Sequence, residues 1–142
     1  MNILKKKLIQ TINFLNSEFK NEEKLYGSAY DADSEGVEGK YYVWSYNELN
    51  NLLGEDLNLF KKKYEISKDG NFEGKNILVE TKQILTENED EKIEEINKKL
   101  LDDRNSRVKP FFDNKSQTDL NAYILETLLK ISIILNDEKI KE

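Results

Sequence analysis

Apolar residues return along the first twenty positions at helical spacing. Leu4, Leu8, Ile12, Leu15 and Phe19 stand three or four residues apart, and Ile3, Ile9 and Phe14 widen the stripe. That pattern predicts one amphipathic helix over about residues 3–20. The pattern changes near the middle of the chain, at Tyr41, Tyr42, Val43 and Trp44, the densest aromatic run, which follows Gly36 and Gly39. A short strand over residues 40–44 is expected there, with residues 26–30 as its simplest partner and an acidic loop at the hairpin tip. A two-stranded ribbon is marginal in water, so helices must pack on its aromatic side.

Downstream, Ser45 and Glu48 have the spacing of a capping box, and Leu49, Leu52 and Leu53 follow as a short helix that Gly54 stops. Asp56 is the expected cap of the next helix, whose inward residues are Leu57, Phe60 and Tyr64. Asp69-Gly70 marks a turn. Thr86 and Glu89 form a second capping box, and Ile93, Ile96 and Leu100 mark the inner face of a helix over about residues 87–103. Residues 106–116, with the only proline, are too broken for a helix. Ser116 or Thr118 is the expected cap of the last helix. Leu120, Ile124, Leu128, Ile131 and Leu135 mark its face, Leu125, Leu129 and Ile134 widen it, and it ends at about Asn136 with a frayed charged tail. The first and last helices carry more apolar surface than so few elements can cover, which fits a piece of a larger helical layer.

A chain of 142 residues has the length of a single domain, taken here as residues 1–142. The formal net charge of −6 argues against a nucleic-acid partner. The chain has no cysteine and no histidine, so thiolate chemistry and the commonest base and metal ligand are excluded. Chemistry would fall to carboxylates, Tyr, Lys or Arg. No signal-like apolar segment opens the chain and no run has the length of a membrane span, so no membrane is expected and the cytoplasm is the default.

Asp31 and Asp33 form a candidate carboxylate pair for acid–base work, or else an acidic turn that accepts backbone N–H groups. With Glu35 and Gly36 they imitate the first half of a calcium loop, but Gly39 and Tyr42 occupy its ninth and twelfth positions. No metal site and no cofactor are expected. Trp44, with Tyr41 and Tyr42, reads as a ligand-facing wall or as core packing. Asn71, Phe72, Glu73, Gly74 and Asn76 form a polar loop suited to ligand hydroxyls or to a tight turn. Arg107 is an expected partner of Asp113, and Lys115 and Asn121 are placed to face a cavity from the start of the last helix. Phosphate loops, zinc-protease motifs and nucleophile elbows are missing from the sequence.

Three blocks in this order, SAYDADSEGVEGKYYVWSYNEL, GNFEGKNIL and RVKPFFDNKSQTDLNAYIL, resemble a family of thioredoxin-domain-containing proteins related to the spermatogenesis-associated proteins. Its C-terminal part is an (α/α)6 toroid like those of N-acylglucosamine 2-epimerase and six-hairpin glycosidases. The resemblance implies an all-α chain with a small β-hairpin, a partial toroid of about four or five helices, without the thioredoxin-like domain. It puts Asp31, Asp33, Glu35, Tyr42 and Trp44 on a hairpin at the cavity mouth, and Asn71, Glu73 and Asn76 on a neighbouring loop. Asp113 and Lys115 match an Asp-Asp-Lys run in which Asn114 replaces an Asp, and Leu120-Asn121 matches a Trp-Asn pair that has lost its Trp.

Two functions follow as expectations. In the first, the chain is a binding or structural module that docks another chain supplying the remaining toroid helices, or a second copy of itself. In the second, it is part of an enzyme acting on a sugar-like ligand. Asp31 or Asp33 would then be acid or base, and Trp44 would stack on the ring. The remaining contacts would come from Glu35, Tyr42, Asn71, Glu73, Asn76, Asp113, Lys115 and Asn121. Convergence of Asp31, Asp33 and Glu73 in a closed pocket would favour the enzyme. An open groove lined by Leu8, Ile12, Leu128 and Ile131 would favour docking.

Overall fold

The computed structural model describes residues 3–137 and residue 140; the charged tail expected to fray falls largely outside them. Among the described residues the fold is all-α with small antiparallel β elements. Five α-helices, α1 (Ile3–Phe14), α2 (Tyr46–Leu53), α3 (Leu57–Lys63), α4 (Glu87–Asn105) and α5 (Thr118–Leu135), accompany four two-residue strands. The strands are β1 (Ala29–Tyr30), β2 (Asp33–Ser34), β3 (Val37–Glu38) and β4 (Phe112–Asp113). None of the helices described is long and apolar enough to cross a membrane. The chain divides into two compact units: a central one, Ala32–Pro110, and a terminal one made of the chain up to Asp31 and from Phe111 onward.

The central unit is built on helices whose starts are written locally. Ser45 Oγ accepts from Glu48 N at 3.1 Å and the Glu48 carboxylate accepts from Ser45 N at 2.6 Å, which fixes the first turn of α2. Thr86 and Glu89 repeat the arrangement at α4. Asp56 makes no cap, because a 3-10 turn, Gly54–Asp56, already feeds helical backbone into α3. The apolar faces of α2, α3 and α4 meet in one core of Leu49, Leu53, Leu57, Phe60, Ile93, Ile96 and Leu100, closed by Trp44, Tyr64 and Ile66.

The expected hairpin of residues 26–30 with residues 40–44 does not form. Glu35 (φ 54) and Gly36 (φ 73) both lie in the left-handed region and make the two-residue turn between β2 and β3, pairing Asp33 with Glu38 and Ser34 with Val37. Gly39 (φ 69) then ends the ribbon. Its carbonyl accepts from Tyr42 N at 2.8 Å and Val43 N at 3.2 Å, so the aromatic run coils into a turn. Tyr41 and Trp44 are buried from that turn, and only Trp44 pairs its backbone, with Asn76.

In the terminal unit, α1 ends in a π turn, Leu15–Phe19, where one uninterrupted helix was expected. Lys20 pairs with Tyr26 across a short loop, and β1 pairs with β4, Ala29 opposite Asp113 and Tyr30 opposite Phe112. The rings of Phe14, Phe19, Tyr30 and Phe112 pack in sequence at centroid distances of 4.8–6.0 Å. Among the described residues of this unit, Ile12, Tyr26 and Ile131 are the buried apolar ones. The cap position of α5 is Gln117, which makes no side-chain cap, in place of the expected Ser116 or Thr118, and at the other end Asn136 closes the helix in the left-handed region (φ 52).

The link between α3 and the start of α4 gives a pH prediction. Glu89 accepts from Lys62 Nζ at 2.7 Å and from Thr86 N at 2.9 Å, and these bonds, that of Lys62 foremost, lower its carboxyl from the ordinary 4.5 to about 2. A depressed carboxyl contributes stability above its unfolded value and loses it as pH falls through the folded one. The Glu89→Gln variant is therefore expected to melt below the wild type at pH 7, with the gap closing between about pH 4.5 and pH 2. Thermal melts at stepped pH check this, and a gap that stays constant across that window contradicts it.

Candidate functional site

The central unit holds a cleft of about 530 Å³ bounded by the β2–β3 hairpin, the turn at residues 72–75 and the chain leaving α4. Two of the site residues expected from sequence, Glu35 and Glu73, line it, together with Glu38, Glu48, Lys40 and Lys75. Left-handed backbone carries both acids: Glu35 at φ 54 in the hairpin and Glu73 at φ 46 beside Gly74. Glu35 is paired with Lys40 at 2.7 Å, and both side chains are half exposed, so the pair is screened. Burial pushes the Glu48 carboxyl up, but hydrogen bonds from Ser45 and the charges of Arg107 and Lys75 outweigh it and hold the group below the usual range. At neutral pH Glu48 is an anchor, not a proton donor.

Arg107, read from sequence as a partner of Asp113, is used differently. Its guanidinium lies 3.9 Å from the Trp44 ring centroid. Its Nη1 donates to the carbonyls of Tyr41 at 3.2 Å and Val43 at 2.9 Å. Its Nη2 stands 3.8 Å from Glu48 Oε1 and 3.9 Å from Asp103 Oδ2. Trp44 is 3% exposed, so a sugar ring has no free face there to stack on. Tyr42 is exposed, near the Arg104 guanidinium, and is not among the residues lining the cleft.

The asparagines expected to hold ligand hydroxyls bond to backbone. Asn71 closes a loop with both ends of its amide: it accepts from Ile77 N at 2.8 Å and donates to Ile77 O at 2.9 Å. Asn76 is fully buried, accepts from Ser67 N at 3.0 Å and donates to Ser67 O at 3.1 Å. In the terminal unit Asn121 accepts from Tyr26 N at 2.8 Å and donates to Tyr26 O at 2.9 Å. Asn121 also borders an apolar groove of about 340 Å³ with Tyr26, Ala122, Leu125 and Leu128. Asp113 takes the Lys115 ammonium at 3.2 Å, and Lys115 is largely exposed.

Asp31 belongs to the terminal unit and Asp33 to the central one, and both are exposed. Neither lines the cleft that holds Glu73. The described residues contain no group of three or more His, Cys, Asp or Glu side chains that could hold a metal ion.

The other notable surface is apolar. On α5 the side chains of Tyr123, Leu125, Leu129, Ile133 and Ile134 are 41–76% exposed. The residues expected to line a docking groove are turned the other way: Ile12 and Ile131 are buried, and Leu8 and Leu128 are partly so. The hydrophobic surplus of α5 lies outside the central stripe: Leu125, Leu129 and Ile134 are residues that sequence counts as widening it, and Tyr123 and Ile133 extend the exposed surface beyond them.

No protein-family model matches the chain, and no curated protein matches it.

Arg107→Lys keeps the charge but loses the planar stack and the fork that reaches two carbonyls. A loss of about 1–3 kcal/mol in urea unfolding is expected, with a red shift of emission from Trp44, the single tryptophan. Unchanged unfolding and emission would mean that this contact holds nothing in place.

Proposed function

We propose that this chain is a binding or structural module that docks apolar helices along the outer face of α5. In this reading its fold is a segment of an (α/α)6 toroid, as the resemblance to the thioredoxin-domain-containing family implies, and the docked helices lie against it as neighbouring helices of such a ring would. The observation that carries the reading is the width of exposed hydrocarbon on one helix, from Tyr123 to Ile134. Isolated exposed leucines are ordinary on a protein surface, but Leu125, Leu129 and Ile133 fall within about 80° of one another on α5, with Tyr123 and Ile134 beyond the Glu126–Lys130 pair, and a patch of that kind marks an interaction face. Leu4 and Phe14 on α1 add exposed apolar surface in the same unit.

The alternative, part of a carbohydrate-active enzyme, has one observation in its favour: Glu35 and Glu73 line one cleft of sufficient size for a small ligand. Docking is preferred because the Trp44 ring is covered by Arg107 and the amides of Asn71, Asn76 and Asn121 are spent on backbone.

The test is a titration with a labelled amphipathic peptide carrying leucines at heptad spacing. Saturable binding at about 10 µM is expected. Replacing Leu129 and Ile133 together by lysine should weaken it more than about tenfold, since each buried large aliphatic contributes roughly 1.5–3 kcal/mol. Binding that does not saturate, or that survives the double replacement, overturns the docking reading.

A further inference from the structure

We infer that the occupant of the α5 face is a second copy of this chain, with the two α5 helices packed antiparallel and crossing near Leu129. This rests on the docking reading and adds the identity and direction of the partner.

From Leu120 to Leu135 the only charged residues are Glu126 and Lys130. Both are exposed, and they are joined by a 2.6 Å bridge one helical turn apart. At 3.6 residues per turn they fall within the exposed sector, amid Leu129, Ile133, Tyr123 and Ile134. A docked helix must therefore meet one acid and one base set in a hydrocarbon surface.

A second α5 running the opposite way meets that demand without further parts. Crossing at Leu129 sets Leu129 on its own copy and Leu125 against the partner's Ile133. It brings Glu126 beside the partner's Lys130 and Lys130 beside the partner's Glu126. Tyr123 and Ile134, about 120° and 140° around the axis from Leu129, stay outside this contact. The surface is thus self-complementary, as a two-fold interface requires. The opposed helix dipoles also favour the antiparallel direction. Parallel packing would instead set Glu126 against Glu126 and Lys130 against Lys130, a like-charge arrangement that disfavours it.

α5 has 18 residues, about 27 Å of helix. One helix pair of that length covers less than the roughly 1,600 Å² of a standard interface, so the dimer is expected to be weak. Sedimentation of the full chain from about 5 to 200 µM should show a monomer–dimer equilibrium.

Glu126→Lys and Lys130→Glu, measured separately, should each weaken the dimer about threefold or more, with circular dichroism confirming retained helix. Mixed in equal amounts, the two variants become complementary at both charge contacts. The mixture should associate at least as tightly as the wild type, and added salt should weaken it. A wild type that stays monomeric overturns the inference, and so does a mixture that associates no better than its components. Either result leaves the docking reading to the peptide titration; failure of that titration as well removes both.

Discussion

The central unit depends on one cation laid over one indole. Arg107 covers the face of Trp44, supplies the carbonyls of Tyr41 and Val43 with donors, and lies near the carboxylates of Glu48 on α2 and Asp103 on α4. Buried carbonyls must find a partner, and in a strand the neighbouring chain provides it. Here a side chain does so, which lets an aromatic run bury Tyr41 and Trp44 from a coiled turn. The planar guanidinium can do both at once, because its face meets the ring while its edge carries the N–H groups.

The same economy explains the asparagines. This chain has long connections and strands of two residues, so much of its loop backbone lacks a ladder. Asn71, Asn76 and Asn121 each offer an amide that pairs with a backbone N–H and C=O as a neighbouring strand would. Asn76 does this with no solvent exposure, where an unpaired amide would be costly. Polar residues near glycines read equally well as ligand contacts or as loop ties, and in this fold they are ties.

What the sequence reveals follows how local the determining interaction is. Both capping boxes form at the residues that spell them, and α2, α4 and α5 begin and end within about two residues of their patterns. The strand partners are not local. β1 pairs with β4 from the far end of the chain, and nothing near Ala29 announces it. The turn at Glu35 and Gly36 was legible as a turn, yet the tightness of its two-residue hairpin left residues 40–44 without a strand to join. For α5 the periodicity shows that the helix has apolar residues on most sides. It does not show which side the rest of the unit covers, and here Ile131 turned inward while Leu125, Leu129 and Ile133 stayed out. Of the candidate site, Glu35 and Glu73 were found by reading loops, whereas Lys40 and Lys75 entered only through the geometry of the cleft.

The wide π turn at Leu15–Phe19 makes the aromatic cluster depend on how the helix end is wound. A π turn holds one residue more than α geometry would. Rewinding the same residues into regular α geometry would swing Phe19 by about 100° around the axis, away from Tyr30 and Phe112, now 5.4 and 6.0 Å from it, whereas loss of one of them would restore α spacing with Phe19 kept on the same side. Exchanging one side chain for another in Asn16, Ser17 or Glu18 leaves that spacing intact. The segment therefore absorbs the loss of one residue more readily than a tightening of the turn that keeps them all.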